Sequence, residues 1–477
     1  MSNVALTAIL IANMIFAVIV VFIERKRPVD ALAWLLLFSF LPVLGFVIYL
    51  FFGPRFWTKR KFRLKKVDDQ RLQQLIDSQH QELAWMQARA PDEAADYLAL
   101  ARMNLVQAAA PIALGNQMTF FTHGDEKFAQ LLADIEKAEK FIHIEYFIFR
   151  DDAIGRRLVA ALTNRAAAGV EVRLIIDDWG CKLTSDALFN PLRQAGGKVY
   201  RFLPVTLSFA FNVNYRNHRK IVVIDGHIGY VGGMNVGDEY LGMDSQRSPW
   251  RDTHLRIVGP AVSSLETRFL LDYVFVSGED VELGERYLPS EVPWSGQSPI
   301  QIVSSGPDSK EQHVKQGFLK MINSAHETIY IQTPYLVPDD SLLEALKIAA
   351  FSGVDVRIMI PGKPDKRFVY NVTKYYAGEL LQAGIRIFLY DGFLHSKTIS
   401  VDGRFLSVGT ANMDVRSFML NFEVNAFIFD ADAASEHDHI FQRDLANCRE
   451  FTLEEYRKRG LWRKFIEGVC RLFAPLL

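Results

Sequence analysis

Cysteine is nearly missing from this chain. Cys181, Cys448 and Cys470 lie far apart among 477 residues with no CxxC pair. That spacing indicates neither a zinc site nor a disulfide framework and points to reduced thiols facing a cytosol. An excess of either charge sign is missing too. Lys and Arg number 54 against 55 Asp and Glu, so the whole-molecule field says little about partners. Charge is absent altogether from Met1–Ile23 and from Ala31–Phe52. The first run has no basic n-region and no small-x-small site before its charged flank, which argues against a cleaved signal peptide. At ~1.5 Å per residue, each run is long enough to cross an apolar layer of about 30 Å. Two spans are expected, at about 4–23 and 31–52, in a membrane domain of residues 1–53.

Hydrophobic residues make up 49% of the chain and mean hydropathy is slightly positive at +0.06, high for a wholly soluble protein. Arg25, Lys26 and Arg27 separate the two runs, and a larger basic cluster from Arg55 to Lys66 comes after the second. The larger cluster favours a cytoplasmic position for the chain beyond it, whereas the three loop charges oppose it. Phe51, Phe52, Phe56 and Trp57 suit an aromatic belt, and the basic run suits anionic headgroups as well as topology. Residues 67–110 read as polar, partly amphipathic helix, the later part of a basic and helical linker over 54–110. Strand and helix patterns then alternate, which implies sheets covered by helices on both faces. The Gly-, Pro-, Ser- and Glu-rich stretch 277–300 divides this body into units at 111–290 and 298–477. The last stretch, 461–477, mixes Trp462, Phe465, Ile466, Leu472 and Phe473 with Arg463, Lys464 and Arg471. Both a core-packing terminal helix and an interfacial one fit it.

The stretch from His218 to Asn235 organises the rest. Ile221–Ile224 runs into Asp225-Gly226 and a second apolar run, a strong hairpin signal because a tight primed turn needs positive φ. His218 and Lys220 then share one face of the sheet. With Asp225-Gly226 as a two-residue loop, His218 should face Gly233. The pattern returns at His395-Ser-Lys397 with Asp402-Gly403, then Gly409 and Asn412, every member at one constant offset. The repeat extends upstream, where Ile142–Asp152 matches Ile329–Asp340 with one residue inserted, and Ala168–Ile176 matches Ser352–Ile360. The chain holds two copies of one unit.

Two copies of His-x-Lys-x4-Asp-x6-Gly-[Gly/Thr]-x-Asn resemble the HKD motif of the phospholipase D superfamily. Trp250–Pro260, Thr333–Pro338, Asn412–Ser417 and the two apolar N-terminal runs make the chain similar to the bacterial cardiolipin synthases within it. The resemblance covers nearly the whole chain. It implies an α/β fold of two tandem phospholipase D-like α/β/α sandwich domains related by a pseudo-twofold axis, preceded by two transmembrane helices.

Histidine is at once a neutral nucleophile and a proton donor near pH 7. Lysine and asparagine supply donors for the charge that grows on a phosphoryl group. Two such sets, brought together, put one imidazole on each side of a phosphorus atom. By resemblance the catalytic set is His218, Lys220, Asp225, His395, Lys397 and Asp402, with His218 as nucleophile and His395 as acid and base. The spacing leaves that near-symmetry unbroken. Asp225 and Asp402 belong to the motif, but their turn positions suit turn stabilisation better than proton transfer. Asn235 and Asn412 would hold phosphate. Glu423, at the matching family position, and Asp252, the first-half candidate, would orient the imidazoles, with surface or turn carboxylates as the alternative. Asp151-Asp152 and Asp177-Asp178 suit strand ends and helix caps better than metal ligands. His143, His227 and His254 read as structural. Glu145, Tyr146 and Tyr335 are either pocket lining or ordinary packing. The implied reaction joins two phosphatidylglycerols into cardiolipin and glycerol at the cytoplasmic membrane, with no metal, cofactor or nucleic acid. A membrane-bound phospholipase D or a transferase with another alcohol acceptor is the alternative enzyme. A non-catalytic lipid-binding scaffold is disfavoured by both motifs being intact.

Overall fold

The computed structural model describes residues 3–23, 28–52, 70–87, 92–204, 214–289 and 296–472. The first apolar run forms the helix Asn3–Val18, which continues as a wider turn over Ile19–Ile23. Val4–Phe22 within it is long and apolar enough to cross a membrane. The second run behaves differently. It breaks into helices Pro28–Phe40 and Pro42–Phe52, of 13 and 11 residues. Pro42 has no N–H to offer the preceding turn, and its ring crowds that turn's carbonyl. Each piece is shorter than the ~20 residues a straight span needs, so one candidate spanning helix stands among the described residues. Phe38 and Tyr49 bury themselves against Val20 and Phe16. Asn13 donates from Nδ2 to the Pro42 carbonyl at 2.9 Å, a polar tie between apolar helices. Arg25–Arg27, Phe56, Trp57 and the basic run to Lys66 lie outside the described residues.

The body is mixed α/β, built on one continuous sheet. Strands Ile112–Phe121 and Ser298–Ser305 pair antiparallel at its centre, Ala113 opposite Ile300. Outward from this seam the first half adds His254–Val258, Ile228–Gly232, Lys220–Ile224, Phe141–Tyr146, Glu171–Asp177 and Lys198–Phe202. The second adds Asn421–Ile428, Phe405–Gly409, Thr398–Val401, Thr328–Gln332, Asp355–Pro361 and Arg386–Tyr390, then Cys448–Phe451 at the edge. The order is the same in both directions, so the repeat in the chain reappears as symmetry of the sheet. Parallel pairs such as Phe141–Tyr146 with Glu171–Asp177 are buried on both faces because helices cover both, although one of those faces carries His143, Glu145, Arg173 and Asp177. Leu131, Leu158 and Leu162 pack from one side of the first half; Leu265 and Phe269 pack from the other. Full burial of each such side chain contributes about 2 kcal/mol.

Two elements depart from the expected layout. Helix Asp92–Ala108, read as a spacer, puts Leu100 in the core of the second half. Asn104 there donates to Gln301 Oε1 at 3.1 Å, and Gln301 donates back to the Ala101 and Ala110 carbonyls. The hairpin loop is longer than expected by one residue. Asp225 and Gly226 do adopt positive φ, +53° and +77°, but Ile224 pairs with Ile228. His227 therefore joins the loop. The extended register sets His218 opposite Met234, and Gly233 is displaced from it by one position.

Candidate active site

Each histidine succeeds a short strand that pairs with the opposite half. Arg216–Asn217 runs parallel to Asn421-Phe422, and the His218 N–H donates to the Phe422 carbonyl at 2.9 Å. Phe393-Leu394 runs parallel to Trp250-Arg251, and the His395 N–H donates to the Arg251 carbonyl at 2.7 Å. This crossing carries through to the side chains. His218 Nδ1 lies 2.9 Å from Glu423 Oε2, and His395 Nδ1 lies 2.6 Å from Asp252 Oδ2. Each half therefore holds the other half's imidazole. With Nδ1–H given to a carboxylate, Nε2 is left with a lone pair for chemistry.

Both imidazoles are buried, and burial pushes each down to about 4. The lysines add to this, Lys220 and Lys397 for His218 and Lys397 first for His395, while Glu423 and Asp252 oppose it. Each histidine feels the other half's lysine, so the four groups share one electrostatic environment. Both imidazoles are therefore neutral near pH 7. Burial also lowers Lys220 to about 7 and Lys397 to about 8. Lys220 Nζ donates to the carbonyl of His218 at 2.5 Å, and Lys397 Nζ donates to that of His395. An ammonium has three protons, so two remain on each for an incoming anion.

The asparagines are held in place. Asn235 accepts the Ile148 N–H at 3.0 Å and donates to the Tyr240 hydroxyl at 2.6 Å. Asn412 donates to Asp414 at 3.1 Å, and its buried Oδ1 has no hydrogen-bond partner among the described residues. Aromatic rings wall the pair, Phe147 5.0 Å from His218 and Trp250 5.5 Å from His395 between ring centroids.

Asp225 and Asp402, grouped with the catalytic set on the motif, lie at the far ends of the hairpins, roughly 16 Å along the strand from the lysines. Asp225 accepts N–H bonds from Glu139, Lys140 and Phe141 at 2.7–2.9 Å. Asp402 accepts them from His326, Glu327 and Thr328 at 2.7–2.8 Å. They pin the turn to the start of the neighbouring strand, with no oxygen directed at the imidazoles. Asp152 caps the helix that starts at Ala153, and Asp177 accepts the Asn217 and Gly180 N–H groups. His143 is enclosed between Glu266 and Glu171, and His254 is buried beside the Met234 N–H. Tyr146 accepts from buried Lys127 at 2.8 Å, and Glu145 accepts from Asn217. Tyr335 donates to Asp365 at 2.5 Å.

Several supporting groups have little or no signature in the chain. Thr410 donates its hydroxyl to Glu423 at 2.5 Å, and the Asn421 amide donates to the same carboxylate at 3.1 Å. Thr253 joins its N–H to Asp252 at 2.7 Å and its hydroxyl to Ser396 at 2.7 Å, across the halves. Only Thr410 carries a signal, as the motif's variable position. The others are set by pairing across the seam.

The chain is similar to known proteins. A family model described as cardiolipin synthase, phospholipase D-like domain, matches residues 131–247 and 318–445. A second, phospholipase D-nuclease N-terminal, matches residues 11–54. A cardiolipin synthase of Listeria monocytogenes is 46% identical over 476 residues, covering 99% of this chain and 98% of its own. The major cardiolipin synthase of Bacillus subtilis is 45% identical over 482 residues, covering 100% of this chain and 99% of its own. Among solved structures, phosphatidylserine synthase from Haemophilus influenzae superposes with a TM-score of 0.59 at 15% identity, over 79% of this chain and 98% of that one; it shows a common fold. The N-terminal match and the apolar helix at Val4–Phe22 together mark a membrane-associated protein.

Proposed function

This chain belongs to the cardiolipin synthases, phosphatidyltransferases of the phospholipase D superfamily, and from that premise we propose that it transfers a phosphatidyl group from one phosphatidylglycerol to another. The single observation behind the mechanism is the crossed pair of carboxylate-bound imidazoles, His218 with Glu423 and His395 with Asp252.

In this reading His218 Nε2 attacks phosphorus and the bond to the glycerol oxygen breaks. The phosphodiester's own negative charge favours a proton on His395, which passes it to the departing oxygen. Lys220, Lys397, Asn235 and Asn412 hold the phosphoryl oxygens as charge grows on them. A hydroxyl of the second phosphatidylglycerol then enters, neutral His395 takes its proton, and the new P–O bond forms as the bond to His218 breaks. One phosphodiester replaces another, so the reaction runs both ways. Water admitted at the second step would release phosphatidic acid instead. The apolar runs at 4–23 and 31–52 would anchor units 111–290 and 298–477 on the cytoplasmic side of the cell membrane, where both substrates lie.

Purified full-length protein supplied with labelled phosphatidylglycerol should yield cardiolipin and glycerol in equal amounts. Adding glycerol to labelled cardiolipin should return phosphatidylglycerol. Phosphatidic acid as the main product would replace this reading with a phospholipase, and no product from phosphatidylglycerol would exclude it as donor.

A further inference from the structure

The C-terminal helix Leu461–Leu472 has two unlike faces. Ile466 and Cys470 pack inward on Val337, Val369 and Val372. Outward, Leu461, Trp462, Phe465 and Leu472 are 85, 73, 60 and 77% exposed. Their spacing places them on one side of the helix, and the Trp462 and Phe465 rings stack at 5.6 Å. Arg463, Lys464 and Arg471 share the helix. An aromatic and basic helix with an unburied apolar face matches elements that lie in a lipid headgroup plane. The membrane-associated N-terminus keeps such a plane within reach.

Beside this helix, between Arg367–Gln382 and the edge strand Cys448–Phe451, lies a cavity of about 650 Å³ whose charged lining is five cations, Lys374, Arg449, Lys458, Arg459 and Arg463, against three carboxylates, Glu454, Glu455 and Glu467. Four of these cations have internal partners. Arg449 meets Glu455 at 2.8 Å, Lys458 meets Glu454 at 2.5 Å, Arg459 meets Glu467, and Arg463 lies 3.6 Å from Glu467. Lys374 differs. It is 5% exposed, and its ammonium has no hydrogen-bond or ion-pair partner among the described residues, lying 3.7 Å over the Phe451 ring. Burial lowers it to about 7, a cost that an anion in the cavity would reverse.

We propose that this face is a second membrane contact: the helix Leu461–Leu472 inserts its aromatic side among lipids while the cavity at Lys374 takes the phosphate headgroup of an anionic phospholipid. The site is separate from the histidine pair and independent of phosphatidyl transfer.

The test uses full-length protein in bilayers of phosphatidylcholine with brominated acyl chains, with or without phosphatidic acid. That lipid is anionic but has no headgroup alcohol to release from phosphorus, so it is no phosphatidyl donor. The fluorescence removed by W462F reports Trp462 alone. It should be quenched as phosphatidic acid is added. K374M should raise the fraction of phosphatidic acid needed roughly fivefold, the factor for one basic side chain near an anionic surface. K374R should restore the response, and F465S should weaken quenching throughout. Inorganic phosphate added to phosphatidylcholine bilayers should change nothing. The proposal is overturned if quenching is absent, equal in pure phosphatidylcholine, reproduced by inorganic phosphate, or unaltered by K374M. A K374R protein that behaves like K374M overturns the charge requirement and the proposal with it.

Discussion

The two halves carry the same hairpin but support its histidine differently. His218 rests on Glu423, whose oxygens also take the Thr410 hydroxyl and the Asn421 amide. His395 rests on Asp252, one methylene shorter, which takes the Thr253 N–H instead. The position equivalent to Thr410 is Gly233, where an added Cβ would lie 2.0 Å from Asp252 Oδ1. A shorter carboxylate has to come closer to the opposing strand, and only glycine admits it. A longer one leaves room for a hydroxyl donor. Burial pushes Glu423 up, but the nearby His218 and its hydrogen bonds outweigh this and hold the carboxyl below its ordinary value. Backbone symmetry thus coexists with unlike support for the two imidazoles.

The largest way to break the comparison is to remove one histidine at a time. H218A and H395A should each lower cardiolipin synthesis on the order of 10⁴-fold or more. A donor lipid with a p-nitrophenol leaving group, which needs no proton to depart, should separate them. H395A should then accumulate lipid phosphorus on the protein in an acid-labile P–N bond, and H218A should not. The reverse pattern would exchange the roles.

A smaller effect tests the carboxylates. G233A should push Asp252 off His395 and cost on the order of 10²-fold in kcat. T410A, which removes one hydroxyl donor worth ~1 kcal/mol, should cost roughly fivefold. Equal losses would mean that the halves are supported alike.

The pH profile of kcat/KM sharpens the comparison further. His218 must be neutral to attack and stays so down to about pH 4, while His395 takes its proton with the anionic substrate, so activity should fall on the acid side only as pH drops toward 4. Lys220 and Lys397 lose their protons as pH rises through about 7 and 8, which should produce the alkaline limb. The sign for stability comes from the same groups. Both histidines have folded values below 6.5, so the unfolded chain binds protons first, and stability should decline as pH falls from 6.5 toward 4. An acid limb at 6.5 in kcat/KM would contradict the burial argument.

The smallest catalytic effect belongs to the hairpin ends. D225N and D402N each weaken three N–H bonds to a carboxylate and should lower unfolding stability by about 2 kcal/mol. The kcat of the remaining folded protein should stay near wild type. A 10²-fold loss in either would return that residue to the chemistry.

Much of the site is legible in the chain. His218, Lys220, Asn235 and their counterparts stand at one offset because each unit must build the same hairpin. Asp225 and Asp402 can be assigned to turns because Asp-Gly accepts positive φ. Glu423 and Asp252 are legible as candidates, but their crossing is not, since no periodicity within one unit records pairing with the other. The break at Pro42 is visible as a proline in an apolar run, and hydropathy counting passes over it. The docking of Asp92–Ala108 on the second half has no local signature, because Asn104 and Gln301 are almost two hundred residues apart.

The sequence by itself determined the repeat, the pair of histidine hairpins and the apolar N-terminus, all carried by short-range spacing. Only the tertiary structure decided which carboxylate serves which imidazole and that both imidazoles are neutral. Those depend on antiparallel pairing of Ile112–Phe121 with Ser298–Ser305, which joins the two units edge to edge in one sheet and takes their charged groups out of water together.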